Sequence, residues 1–201
     1  MDRKSPARSA SQTVNTNASP PQSGDRAKQL QFIGTAHALG VPHDYGRMRH
    51  LRRVREPSAL AYIGNDIQQR PQWLAPRAAR AWAHMRAEAA DEGIELQIVS
   101  AFRSIEYQLG IVQRKLERNQ KLDEILRVSA APGYSEHHSG RAIDVTTPGF
   151  AALEEEFERS AAFKWLKKNA RRYSFHLSYP RRNPHRIAYE PWHWCWHAKR
   201  R

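Results

Sequence analysis

The feature that most restricts this chain is a change of period at Gly93. Upstream, "WLAPRAARAWAHMRAEAADEG" (73–93) reads as one helix. Pro76 suits the first turn, where its missing N–H leaves nothing unsatisfied. The alanines that follow are the best helix formers, and Gly93 can take the left-handed conformation that ends the helix. Directly afterwards "IELQIVS" alternates apolar and polar residues as far as Ser100, the pattern of a half-buried strand. A helix passing straight into such a strand has to bury its apolar stripe on a sheet, which points away from an all-helical bundle.

The rest of the chain repeats the mixture. Ser104 is placed to N-cap a second helix through "SIEYQLGIVQRKLERN", and a short helix is expected around Asp123 to Arg127. "SAAPGYSEHHSG" is loop by composition, and "RAIDVT" is a short strand. "FAALEEEFERSAAFKWLKKNARR" holds one or two helices with a break at Ser160, and "SFHLSYP" and "HRIAYEPWHWCWH" close the chain as strands. Strands interleaved with helices, several of them close together at the end, predict an α+β domain. Residues 1–28 are rich in Ser, Asn, Pro and Gln and are expected to form a disordered tail. The folded domain is then 29–201, with its motif-bearing core at about 74–197.

Lys and Arg number 33 against 20 Asp and Glu, a formal charge of +13. That balance favours anionic partners, among them nucleic acid, membrane surfaces and acidic cell-wall polymers. No helix-turn-helix or Cys-rich finger supports the first, and the basic run "RMRHLRRVRE" reads as a solvated face. No stretch approaches the ~20 apolar residues of a membrane span. The N-terminus lacks the apolar segment of an export signal, and the single cysteine excludes an internal disulfide framework.

Three constellations offer chemistry. In "SEHHSGRAID" a strand would place Gly140, Ala142 and Asp144 on one face, with His137 and His138 just before it. Imidazole and carboxylate are both zinc ligands, although this spacing also arises in ordinary loops and turns. In "YEPWHWCWHAKRR" alternation gives one face to Trp192, Trp194 and Trp196 and the other to His193, Cys195 and His197. That row has the spacing to hold a metal unaided, yet thiolate zinc sites are usually structural and need four protein ligands, and free cysteine commonly just packs. In "SAFRSIEYQ", Arg103 stands at a strand-to-helix junction, where a guanidinium can hold a carboxylate or an oxyanion.

Taken together, "SAFRSIEYQ" (100–108), "PGYSEHHSGRAIDV" (132–145) and "SYPRRNPHRIAYEPWHW" (178–194) resemble the VanY-type D-alanyl-D-alanine carboxypeptidases, a zinc peptidase family that includes LD-carboxypeptidases and VanX-like dipeptidases. The Ser-x-His-x6-Asp pattern is present as Ser135, His137 and Asp144, and the Glu-x-x-His pattern as Glu190 and His193 with Trp192 between them. The resemblance implies a hedgehog/DD-peptidase-like α+β fold with a small, mostly antiparallel sheet flanked by helices. It implies zinc held by His137, Asp144 and His193 with water in the open position, and Glu190 as general base. Arg103 would stabilise the oxyanion, and Gln108, Tyr134, Ser135 and Trp192 would contact substrate.

The expected activity is removal of the terminal D-alanine from peptidoglycan stem peptides, with an LD-carboxypeptidase, an endolysin-like endopeptidase or a silent wall-binding module as alternatives. Such a substrate places the protein at the cell envelope, or has a phage deliver it. The chain departs from the family after the last ligand, reading "WHWCWH" where many relatives continue "WHxRY". Cys195 and His197 therefore revert to an ordinary strand end, and His138 to a neighbour of the ligands.

Overall fold

The structure, a computed structural model, describes residues 19–21 and 25–198. Most of the tail expected over 1–28 lies outside the described residues. At its C-terminal boundary the chain is already helical, since α1 spans Arg26–Ala38 and the Asp25 carboxylate accepts from the Lys28 N–H at 2.8 Å. A short helix, α2 (Tyr45–Met48), follows, and then a hairpin of β1 (Ala61–Asn65) and β2 (Pro71–Leu74). The sequence reading assigned no element to residues 30–60 and placed Trp73 and Leu74 in the following helix. In the structure they belong to β2, and the helix α3 is Pro76–Asp91 with Pro76 in its first turn. Gly93 has φ +76°, the conformation expected of it.

After α3 come β3 (Gln97–Ser100), α4 (Ile105–Glu117) and α5 (Leu122–Val128). Next are β4 (Ala142–Thr146), α6 (Ala161–Asn169), β5 (Phe175–Leu177) and β6 (His193–Trp196). Ser104 caps α4 by accepting from the Tyr107 N–H at 3.0 Å, and Ser160 caps α6 from Phe163 at 2.9 Å. Ser160 is thus the break expected in that region, preceded by a 3-10 turn at Glu155–Arg159. Of the long C-terminal strand expected over 185–197, only His193–Trp196 pairs; Pro191 removes a ladder donor just before it.

β3, β4, β6 and β5 form one antiparallel sheet in that order, an α+β arrangement with helices packed around it. Trp82, Met85, Ala78 and Ala89 of α3 bury their stripe with Ile143, Val145 and Trp194 of the sheet and with Trp165 and Leu166 of α6. Fully burying a side chain the size of Met85, Ile143, Val145 or Leu166 is worth about 1.5–3 kcal/mol. A second cluster under α1 joins Tyr45, Leu109, Leu126 and Tyr134. β4 is central, and all five of its residues are buried.

The hairpin fixes the end of β3. The Gln72 amide oxygen accepts from the Ala101 N–H at 2.9 Å, and Phe102 N–H donates to the Trp73 carbonyl at 3.0 Å. Asp66 braces the hairpin turn by accepting from the N–H groups of Gln68 and Arg70 and from the Gln72 amide. Gly140, between the His-rich turn and β4, has φ +63°, and its carbonyl accepts from Ala75 N–H at 2.7 Å. A Cβ there would sit 2.9 Å from the Ala75 nitrogen. Gly140→Ala therefore strains the backbone and pushes β2 from the turn. We expect it to cost about 1–3 kcal/mol of stability, read as a lowered midpoint in urea unfolding.

Candidate functional site

The site is built on the register of three strands. Asp144 on β4 lies opposite Ser100 on one side and His193 on the other. Cross-strand neighbours carry their side chains on the same face, so the Asp144 carboxylate and the His193 ring meet of necessity. Asp144 Oδ1 is 2.9 Å from His193 Nδ1, and Oδ2 is 3.1 Å from His137 Nε2. His137 enters from a 3-10 turn, Glu136–Ser139, which Ser135 caps by accepting from the His137 N–H at 3.4 Å.

Each imidazole is oriented from behind. His137 Nδ1 lies 2.5 Å from the Ala101 carbonyl. A carbonyl only accepts, so Nδ1 carries the proton and Nε2 keeps its lone pair. That Nε2 is buried and, despite its 3.1 Å approach to Asp144, makes no hydrogen bond in a suitable direction. His193 Nε2 donates to the Glu136 carboxylate at 2.9 Å, which leaves Nδ1 facing Asp144. The ligand atoms of His137, Asp144 and His193 lie within 4.8 Å of one another. An orphaned buried lone pair, a buried carboxylate and a second imidazole nitrogen aimed at one point form a donor set that fits a zinc ion. Their outward-side hydrogen bonds are those that metal-binding histidines use.

Electrostatics favour a cation at this point. Burial opposes charge on His193, but hydrogen bonds to Asp144 and Glu136 outweigh it and raise its pKa to about 10. Burial likewise opposes the Asp144 charge, yet the hydrogen bond and charge of His193 help hold the carboxyl well below its ordinary range. His137, by contrast, is lowered to about 4 by burial and by the Arg103 charge, and stays neutral. Glu190 is held by donating its N–H to the Tyr179 carbonyl at 3.0 Å, and its Oε2 lies 3.8 Å from His193 Nδ1. Burial, with the charges of Asp144 and Glu136, outweighs His193 and Arg103 and pushes its pKa up to about 7. A carboxylate in that range takes and returns protons near neutral pH.

Arg103 follows β3 and reaches Asp144 Oδ2 at 3.8 Å, while its buried Nε has no partner. Its backbone carbonyl accepts from His138 Nδ1 at 2.7 Å, and His138 Nε2 accepts from the Gly133 N–H at 3.2 Å. Burial holds His138 at about 3, so it is a neutral brace beneath Arg103 and does not point at the donor triad. A cavity of about 270 Å³ opens over the triad, lined by Arg103, Ser135, Glu190 and Trp192 and by Lys115, Ser129 and Tyr179.

Two residues expected to contact substrate lie elsewhere. Gln108 is fully buried and its amide donates to the Ser129 hydroxyl at 2.7 Å and the Ala130 carbonyl at 2.9 Å, so it braces two cavity residues from behind. Tyr134 packs edge-on against Tyr45, with its hydroxyl 3.5 Å from Arg53 Nε. Sequence reasoning passed over Glu136, although it sits beside His137 in the motif, and over Tyr179, whose ring lies 4.8 Å from that of His193.

The chain has known relatives in sequence and in fold. The chain is 37% identical over 133 residues to the putative carboxypeptidase YodJ of Bacillus subtilis, a match covering 63% of this chain and 46% of that protein. It is 32% identical to the bifunctional D-Ala-D-Ala dipeptidase and D-Ala-D-Ala carboxypeptidase VanXYC of Enterococcus gallinarum, over 71% of this chain and 76% of that one. The chain thus spans about half the length of YodJ and about three quarters of VanXYC. Among solved structures it superposes on the LdcB LD-carboxypeptidase with a TM-score of 0.61 and 34% identity, covering 70% of this chain and 69% of the other. Residues 71–199 match the profile of the VanY family, D-alanyl-D-alanine carboxypeptidase. With well over half its length so matched, the chain belongs to the VanY family.

Proposed function

We propose that this protein is a zinc-dependent carboxypeptidase that removes the terminal D-alanine from peptidoglycan stem peptides. The observation that carries this reading is the meeting of His137 Nε2, Asp144 and His193 Nδ1 under a cavity that Glu190 and Arg103 also line. His137, Asp144 and His193 would hold the zinc, which when bound acidifies water towards pH ~7 and polarises a carbonyl. Glu190 Oε2 takes the proton of the attacking water and returns it to the departing amine, a transfer suited to its raised pKa. Arg103, with an unpartnered Nε, faces the oxygen on which negative charge develops. Trp192 and Ser135 line the same cavity, and Lys115 adds to its lining a cation that can hold a terminal carboxylate.

The chain's excess of basic residues suits an anionic wall polymer, and the substrate class alone supports a location at the cell envelope. A second reading, LD-carboxypeptidase, is favoured by the likeness to the LdcB LD-carboxypeptidase, at 34% identity and a TM-score of 0.61. Mass analysis of products from defined pentapeptide and tetrapeptide stems separates the two: D-alanine from the pentapeptide supports our reading, and release from the tetrapeptide alone overturns it.

Glu190→Gln keeps the shape and removes the base. We expect kcat on a D-Ala-terminated pentapeptide to fall by about 10²–10⁴ with zinc content unchanged; wild-type turnover in this variant would refute the mechanism. Chelation should abolish turnover and zinc should restore it. Glu136→Gln, which weakens the grip on His193 Nε2, should raise the zinc dissociation constant by about 10–100-fold in chelator competition.

A further inference from the structure

β6 and the residue just after it carry two more side chains of metal-ligand type, Cys195 and His197, that the catalytic centre does not use. Cys195 lies on the same strand face as His193, buried, and His197 follows at the exposed end. The Glu136 carboxylate, already tied to His193 Nε2, stands over both. Ligand atoms of Glu136, Cys195 and His197 lie within 4.8 Å of one another, the same spread as in the catalytic triad. They come from separate segments, the 3-10 turn and the end of β6. Their burial is graded from a buried sulfur through a half-buried carboxylate to an exposed imidazole.

A further donor stands beside the three. His176 on β5 is directly opposite Cys195 in the register, and its ring is 5.3 Å from that of His197. A sulfur, one or two imidazoles and a carboxylate make a mixed set that selects thiophilic divalent transition metals over magnesium or calcium. The buried sulfur is within hydrogen-bonding reach of the Glu136 carboxylate and lies 3.9 Å from the carbonyl of its own neighbour, Trp196.

We propose that Glu136, Cys195 and His197 form a second binding site for a thiophilic divalent cation such as zinc, with His176 or water completing it. As the sulfur–metal bond forms, the Cys195 thiol releases its proton to solvent, and no change of oxidation state is involved. The site is separate from the catalytic centre but shares Glu136 with it, so an ion held there stands one residue pair away from His193.

Cobalt distinguishes the two sites, because the catalytic set contains no sulfur. The metal-free full-length protein, titrated with Co²⁺, should bind two ions per chain and develop a near-ultraviolet thiolate-to-cobalt charge-transfer band. Cys195→Ser should bind one ion and lose the band, whereas His137→Ala should bind one ion and keep it. His197→Ala alters an exposed residue and so spares the core; it should weaken the band-forming ion by at least about tenfold. If the wild type binds a single ion without the band, and His137→Ala binds none, the second site is wrong and the catalytic reading stands. If the wild type binds a single ion with the band, and only Cys195→Ser loses it, this site stands and the catalytic reading is the one overturned.

Discussion

The structure turns on one buried carboxylate at the centre of a four-stranded sheet. Asp144 is 3% exposed and flanked by buried strand residues on both sides. Removing an ionised carboxylate from water costs several kcal/mol unless partners replace the lost hydration. Here they come from His193 on β6 at 2.9 Å and from the Arg103 guanidinium, just past β3, at 3.8 Å. Because side chains alternate along a strand, a slip of one residue in β4 would turn Asp144 into the Trp82 and Trp194 core and bring Ile143 or Val145 to the site. The apolar core therefore enforces the register that the chemistry requires.

The histidines are positioned by backbone carbonyls rather than by other side chains alone. The segment 101–103 presents two of them, Ala101 to His137 and Arg103 to His138, and sends the Arg103 guanidinium over the cavity. That segment is pinned in turn by the β1–β2 hairpin through Gln72 and Trp73. A hairpin with no side chain in the cavity thus sets the orientation of a donor nitrogen. Such distant supports are what hold a site within the narrow tolerance that catalysis demands.

The parts legible in the sequence were those with local causes. Ser104, Ser160 and Gly93 act on their own neighbours, so the starts of α4 and α6 and the C-terminal end of α3 followed from residue type. The hairpin did not follow, because Trp73 and Leu74 adjoin a strong helix and only pairing with Ala61 and Tyr62, a dozen residues away, makes them a strand. The convergence of Arg103, His137, Asp144, Glu190 and His193 on one cavity had been expected from motif resemblance, not from periodicity. Gln108 and Tyr134 show the limit of that resemblance. Their places in the motifs suggested substrate contact, but α4 turns Gln108 towards Ser129, and the cluster under α1 claims the Tyr134 ring.

β6 shows why alternation is informative and incomplete at once. The strand gives Trp194 to the main core, and its other face has to carry His193 and Cys195. That face cannot pack as an apolar surface, and it needs a charge to work against. Glu136 supplies it by standing between the two, bonded to His193 and within reach of Cys195 and His197. The row of donors apparent in the sequence is therefore divided by a residue outside the row. His193 turns towards Asp144, while Cys195 stays buried and His197 stands at the exposed end, with Glu136 as the common member. One carboxylate between two donor sets makes the orientation of His193 depend on what Cys195 and His197 hold.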